Sequence, residues 1–222
     1  MDSGRLAPHI MEWMRSLALR RPVFHSEFDF QLALSKVMER AGVERIRLET
    51  MVRLDGNPRF EIDIVAYLNG VPIALELKYP KASFTGTVPA DGYDEYYELP
   101  TSGAFDIDAR GVWKDASRIE ALIGSEHVKA GAAVVLSNYP FWSDRSHRQG
   151  TQAHGFRLWE AREAARGTTL EFPDSAKWTT SDHGSVDLNS SYRCQWHPFS
   201  TPAGVGKNDF RYLILEPESS SA

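Results

Sequence analysis

Two carboxylates and a lysine, Asp63, Glu76 and Lys78, lie in the two halves of a predicted β-hairpin. The dipeptide Asn69-Gly70 separates these halves. It favours a type I′ turn, because both central residues of that turn need positive φ. A two-residue turn at this place fixes the pairing of the strands and puts Asp63 directly opposite Glu76. Like charges at that distance repel, and a divalent metal ion held by oxygen ligands would remove the repulsion. The spacing therefore favours metal binding.

The other side chains of the hairpin divide into an apolar face and a charged face. Successive side chains of a strand point to opposite sides, and in this register the charged face also places Glu61 opposite Lys78. The apolar face should cover a core. Its members are Ile62, Ile64, Ala66, Leu68, Val71, Ile73, Leu75 and Leu77.

Asp63, followed on the next strand by Glu76-Leu77-Lys78, resembles the motif of the PD-(D/E)XK nuclease superfamily. In that superfamily, which has the restriction-endonuclease-like fold, a metal-binding acidic residue on one strand precedes Glu or Asp, any residue, and Lys on the next. The proline that leads the family motif is absent here, since Ile62 precedes Asp63. The motif is short, and its weight comes from the hairpin around it. The resemblance covers the first third of the chain, and beyond that only the order of the elements supports it.

Residues 25–42 resemble the first core helix of the same superfamily, in which many members carry an additional acidic residue. Glu27 is the best match to that residue. The resemblance implies a nuclease that hydrolyses phosphodiester bonds with Mg²⁺, for which Mn²⁺ would substitute, and it favours DNA over RNA as the substrate. By the same resemblance, Glu27, Asp63, Glu76 and the Leu77 carbonyl would hold the metal, and Lys78 would orient or help to deprotonate the attacking water.

Simpler interpretations account for some of these charges. Glu61 and Lys78 would form an ion pair of little energetic value on a solvated hairpin, and the helix dipole alone favours Glu27 in a first turn. Neither interpretation explains why Asp63 should face Glu76 in so apolar a hairpin. A third interpretation keeps the fold without catalysis, as a nucleic-acid-binding or assembly module.

Composition places the chain among globular proteins. Its 222 residues suffice for one domain spanning residues 1–222, and the formal net charge of −5 disfavours a protein that coats nucleic acid without selection. The only cysteine, Cys194, excludes a disulfide within the chain and fits a reducing cytoplasm. Residues 1–22 are predicted to form an N-terminal amphipathic helix and no membrane span. A homodimer is left open.

The predicted elements follow the order helix, three strands, helix and strand. This order predicts an α/β fold with a restriction-endonuclease-like core (αβββαβ), in which helices flank a mixed central sheet, followed by a C-terminal β-rich extension. The core spans residues 23–137 and the extension residues 138–222. Residues 81–111 lack periodicity and are predicted to be a flap-like insertion beside the active site. Disorder of this segment in the free protein is the alternative interpretation. Further predicted elements are a strand at 44–53, a turn at 55–58, a helix at 112–123 and a strand at 131–137.

The first core helix has clear predicted ends. Ser26 is its N-cap and Gly42 closes it, so Glu27 falls in the first turn. Apolar residues at helical spacing predict the buried face. They are Phe28, Leu32, Leu34, Val37 and Met38.

Two groups of basic residues are candidates for contacts with nucleic-acid phosphates. One lies along the polar side of the helix at 112–123, and the other lies in a polar loop beside aromatic rings that would stack on bases. A solvated surface is the alternative interpretation for both groups. The first group is Arg110, Lys114 and Arg118, and the second is Arg145, His147 and Arg148.

Overall fold

The computed structural model describes residues 5–54, 59–143, 153–173 and 183–218. The predicted turn at 55–58 and the loop with Arg145, His147 and Arg148 lie outside these ranges. Within the described ranges, no helix has the length and apolar character that crossing a membrane requires. The helices there are α1 Ala7–Arg20, α2 Glu27–Arg40 and α3 Phe105–Gly124, and the strands are β1 Glu44–Val52, β2 Phe60–Leu68, β3 Val71–Lys78, β4 Phe84–Ala90, β5 Tyr93–Leu99, β6 Ala130–Ser137, β7 Glu163–Ala164, β8 Thr169–Leu170, β9 Val186–Asp187, β10 Tyr192–Arg193, β11 Trp196–Ser200, β12 Val205–Gly206 and β13 Phe210–Leu215.

A six-stranded mixed sheet forms the centre of the fold, in the order β1-β2-β3-β6-β13-β11. Strands β3 and β6 pair in parallel, and the other neighbours in this sheet are antiparallel. Parallel neighbours require a crossover, which here contains the β4–β5 hairpin and α3. The structure therefore confirms an α/β fold with a mixed central sheet and flanking helices.

Helices cover both faces of this sheet. On one face α1 and α2 share a core cluster that includes Phe30 and Leu75. On the other face α3 contributes Trp113 to a second cluster. Strand β6 alternates between the two, since Val134 belongs to the first cluster and Val135 to the second. The prediction of a strand buried on both faces is confirmed.

The N-cap of α2 is confirmed, but part of its predicted buried face is wrong. The Ser26 hydroxyl accepts a hydrogen bond from a first-turn amide at 3.1 Å. Phe28 and Leu32, however, are 60% and 37% exposed. Helix α2 packs against both α1 and the sheet, and it therefore buries the side that carries Phe30 and Leu34.

Residues 81–111 have regular structure, contrary to the prediction. Strands β4 and β5 form a hairpin around Asp91-Gly92, whose φ values of 49° and 89° suit a type I′ turn. Alternate side chains of this hairpin, among them Val88 and Tyr97, are buried in the main core. The rest of the segment reaches α3, which begins at Phe105 rather than at residue 112.

The C-terminal region takes part in the central sheet. Strand β13 lies antiparallel beside β6 and pairs Leu213 with Val135, and β11 follows it at the edge. Two small sheets, β7 with β10 and β8 with β9, belong to this region alone. The β-rich character predicted for residues 138–222 is present, but the sheet does not end at residue 137.

Candidate active site

The hairpin of β2 and β3 has the predicted turn and, next to the turn, the predicted register. Its two turn residues have positive φ, 52° and 78°, and the strands pair from the turn as far as Ile64 opposite Leu75. The ladder ends there. Asp63 and Glu76 therefore do not form a paired position, and this detail of the predicted register is wrong.

Strand β2 departs from β3 at Asp63, and there the Asp63 carboxylate accepts a hydrogen bond from a backbone amide of β3. The Asp63 Oδ2 atom accepts it from the amide of Leu77 at 2.5 Å. The side-chain amide of Gln31, on α2, donates to the Asp63 carbonyl at 2.7 Å. Ile62 packs beneath α3 whereas Ile64 packs on the α2 side, so the alternation of the strand breaks here. These contacts fix Asp63 at the carboxyl end of β3.

Glu27 reaches the same place from the first turn of α2. Its Oε2 atom accepts a hydrogen bond from the Tyr79 amide at 2.7 Å, and its Oε1 atom lies 3.6 Å from the Lys78 ammonium. The positive end of the helix dipole also favours a carboxylate there. The structure thus brings together the four predicted catalytic residues, Glu27, Asp63, Glu76 and Lys78.

The Lys78 ammonium lies among several oxygen atoms. It donates to the Leu77 carbonyl at 3.0 Å, the group that the family resemblance assigns to the metal. It also lies 3.2 Å from Asp115 Oδ2. Glu61, which was predicted opposite Lys78, pairs with Met51 of β1 and is exposed. Lys78 therefore faces the site and not the solvated edge of the sheet.

Helix α3 adds two carboxylates that the sequence analysis did not identify as site residues. Asp115 is 2% exposed, and its Oδ1 atom lies 3.2 Å from Arg118 Nη1. The same nitrogen lies 3.5 Å from Oε1 of Glu76, which is also 2% exposed. Asp108 lies two turns earlier on α3, and the charges of Glu27 and Lys78 act on its carboxyl group.

The sequence held a signal for Asp115. This residue lies within the apolar stripe of α3, between Val112 and Ile119, which are both fully buried. A carboxylate on the buried side of a helix needs a partner. Here the partners are the two cations of the site, Lys78 and Arg118.

Burial and the surplus of negative over positive charge together shift the pKa values of the groups in the site. Burial raises the pKa of Asp63 to about 6, and it raises the pKa of Asp108 to about 6 as well. For Glu76, burial and the nearby Asp115 and Asp63 carboxylates raise the pKa well above its ordinary range. Burial opposes the charge of Lys78, but the surrounding carboxylates outweigh burial and raise its pKa. Glu76 therefore holds its proton more tightly than Asp63 or Asp108, and the Lys78 ammonium stays charged.

The chemistry of these side chains fits a divalent metal ion, although their present contacts are internal. Carboxylate and carbonyl oxygens are the ligands that Mg²⁺ prefers. One oxygen of Asp108 is buried without a hydrogen-bond partner in the described part of the chain, and a cation would satisfy that atom. The buried Oδ2 atom of Asp115 already lies 3.2 Å from the Lys78 ammonium. Within the ranges that the structure describes, however, no group of three or more His, Cys, Asp or Glu side chains is arranged to hold a metal ion. Internal amides and cations contact the predicted ligand oxygens instead.

The first group of predicted phosphate-binding residues lies along α3 at intervals of four residues. Lys114 is exposed, and the four-residue spacing makes the three cations neighbours along one side of α3. Arg110 donates to the Gly184 carbonyl at 2.9 Å. Arg118 extends into the acidic site, where it contacts Glu76. Arg110, Lys114 and Arg118 therefore form a basic stripe on α3, and Arg118, at the end of the stripe, belongs to the acidic site.

The raised pKa of Asp63 predicts a characteristic dependence of stability on pH. The folded state binds the Asp63 proton more tightly than the unfolded state, whose ordinary pKa is 3.8. Ionisation of Asp63 therefore lowers the free energy of unfolding as the pH rises from about 4 to about 6. In metal-free buffer, the melting temperature of the parent minus that of Asp63→Asn should fall across this interval and stay constant above it. A difference that stays constant from pH 4 to 7 would contradict the raised pKa.

Searches with the whole chain found no matching family model, no matching curated protein and no matching solved structure. Any assignment of function therefore depends on the residues and the geometry of this chain alone.

Proposed function

We propose that this chain is a metal-dependent nuclease with a restriction-endonuclease-like core, and that DNA is its favoured substrate. The observation that carries the proposal is the meeting of Glu27, Asp63, Glu76 and Lys78 at the carboxyl end of β3. These residues come from one helix and two strands, and together they match the superfamily motif. The order α2, β1, β2, β3, α3, β6, with the β4–β5 hairpin inserted between β3 and α3, supports the expected core.

In the proposed reaction, different residues of the site bind the metal, stabilise charge and position the lysine. Glu27, Asp63, Glu76 and the Leu77 carbonyl would hold Mg²⁺ or Mn²⁺, which polarises a phosphate and lowers the pKa of bound water. Lys78 keeps its positive charge and would stabilise the negative charge that develops on the phosphate oxygens. Asp115, 3.2 Å from the Lys78 ammonium, holds that ammonium in the site.

A binding or assembly module without catalysis is the second candidate, and one observation favours it. Each predicted ligand group already contacts an internal donor or cation: Glu27 the Tyr79 amide, Asp63 the Leu77 amide, Glu76 the Arg118 guanidinium, and the Leu77 carbonyl the Lys78 ammonium. A module that never binds metal would keep its carboxylates neutralised in this way.

Direct assays separate the two candidates. The purified protein is incubated with supercoiled DNA, linear DNA and RNA in Mg²⁺, in Mn²⁺ and in EDTA, beside a Glu76→Gln preparation purified identically. A nuclease cleaves DNA in either metal and not in EDTA, and the variant preparation does not. Binding of nucleic acid without cleavage in any metal would support the module instead.

The basic stripe on α3 makes a separate prediction about substrate binding. Lys114→Gln should weaken the binding of uncleaved duplex DNA in Ca²⁺ and reduce the slope of log affinity against log salt concentration by about 0.9 for one lost phosphate contact. Lys36→Gln makes the same charge change at an exposed position on α2 and serves as the matched control.

Equal salt slopes for the Lys114 and Lys36 variants would place the nucleic-acid surface elsewhere. The second predicted group is then tested by the same titration of a protein that carries both Arg145→Gln and Arg148→Gln.

A further inference from the structure

Arg118 occupies an unusual position for a residue in a phosphate-binding stripe. One nitrogen of its guanidinium, Nη1, lies 3.2 Å from Asp115 and 3.5 Å from Glu76, and both carboxylates are buried. The guanidinium also lies over the ring of Phe60, 5.5 Å from the ring centre. Arg118 thus neutralises the inner part of the acidic site.

The contacts of Arg118 are of a kind that another cation could replace. Strong arginine–carboxylate pairs are bidentate, with distances of about 2.7–2.9 Å. Here a single nitrogen serves two carboxylates at longer distances. The side chain is 29% exposed, so solvent reaches part of it. A divalent ion would offer the Glu76 carboxylate more charge at closer range.

Arg118 also lies next to the exposed part of the basic stripe. It follows Lys114 by one turn of α3, a rise of about 6 Å along the helix. Residues four apart on a helix are neighbours on its surface, so the two cations are close. A guanidinium released from Glu76 would therefore remain beside the surface where we place the substrate phosphates.

We propose that Arg118 is the resident counter-cation of the metal-free site and that it competes with the divalent metal for Glu76. Metal binding then frees the guanidinium to contact a phosphate of the nucleic acid, so that metal loading strengthens substrate binding. This inference rests on the proposed nuclease function, because it takes the metal site from that proposal. It gives Arg118 a role that differs from that of Arg110 and Lys114.

Competition predicts that removal of the guanidinium tightens metal binding. Affinity for Mn²⁺ is measured by electron paramagnetic resonance on the full chain, without nucleic acid. Arg118→Gln should bind Mn²⁺ about tenfold more tightly than the parent, a typical size for coupling between two sites. Arg118→Lys keeps the charge and should remain close to the parent. Lys129→Gln, an equal change of charge at a side chain 58% exposed, should also remain close to the parent.

Release of the guanidinium predicts a second effect, on nucleic-acid binding. The parent should bind duplex DNA more tightly with Ca²⁺ than without it. Arg118→Gln should weaken DNA binding when Ca²⁺ is present and change it little when Ca²⁺ is absent, because the parent guanidinium is then held by the carboxylates. Thermal melts show whether each variant is folded before its affinity is compared.

The outcomes separate the two proposals. Mn²⁺ binding that is equal or weaker in Arg118→Gln than in the parent would overturn the role of Arg118 and leave the nuclease proposal in place. Such a result would indicate that Arg118 holds the neighbouring carboxylates in place and does not compete with the metal. Absence of Mn²⁺ binding by the parent and by all the variants would overturn the metal-dependent function and the inference together.

Discussion

Glu76→Gln and Lys78→Ala should each reduce Mg²⁺-dependent DNA cleavage by on the order of 10²-fold or more, the loss typical when a group that stabilises transition-state charge is removed. Glu76→Gln preserves shape at a position that is 2% exposed and removes a charge that we propose binds the metal. Lys78→Ala removes the ammonium that lies among Glu27, Asp115 and the Leu77 carbonyl. Rates are compared per folded molecule by steady-state cleavage of one labelled duplex.

Glu61→Gln is the matched control for this experiment. Glu61 lies on β2, two residues from Asp63, but it is exposed and pairs toward β1. Its removal should leave the cleavage rate close to that of the parent. Cleavage by the Glu76 and Lys78 variants at the parent rate, in preparations free of host nuclease, would contradict the assignment of the site.

Asp63→Asn should remove most of the stabilisation that divalent metal gives to the fold. A metal that binds only the folded parent adds about 2.7 kcal/mol to the free energy of unfolding at one hundred times its dissociation constant. Asparagine lacks the charge for that binding. Without metal the variant should be as stable as the parent or slightly more stable at neutral pH, because burial disfavours the ionised Asp63 carboxylate and the asparagine oxygen still accepts the Leu77 amide.

The measurement is a pair of thermal melts, with and without Mn²⁺, for the parent, for Asp63→Asn and for Glu61→Gln as the control. A full metal-induced rise in melting temperature in Asp63→Asn would show that Asp63 is not a ligand. A variant that is much less stable without metal would instead show that Asp63 serves the fold.

The β2–β3 hairpin was predictable because local chemistry specifies it. Asn69-Gly70 allows only a few turn types, and the strict alternation on either side sets the register. The end of the ladder was not predictable, because it depends on a hydrogen bond that the Leu77 amide donates to the Asp63 carboxylate. Pattern analysis does not show where a side chain replaces a backbone partner.

The β4–β5 hairpin was missed even though it has a comparable turn, Asp91-Gly92. Acidic and aromatic residues on its outer face, such as Tyr96 at 57% exposure, obscured the buried alternation of Val88 and Tyr97. The contribution of α3 to the site was missed for a different reason. The sequence marks Asp115 as a buried carboxylate, but the contact of Arg118 with both Asp115 and Glu76 depends on long-range packing of α3 on β3, which a sequence pattern does not encode.

One cation position, among Asp63, Glu76 and the Leu77 carbonyl, is central to the proposed function. A crystal structure of the full chain grown with Mn²⁺, with anomalous diffraction data, tests it most directly. We predict an anomalous peak bounded by these three groups, with the Arg118 guanidinium no longer in contact with Glu76. A map without that peak at saturating Mn²⁺, in which Lys78 and Arg118 keep their present contacts, would contradict the metal-dependent site.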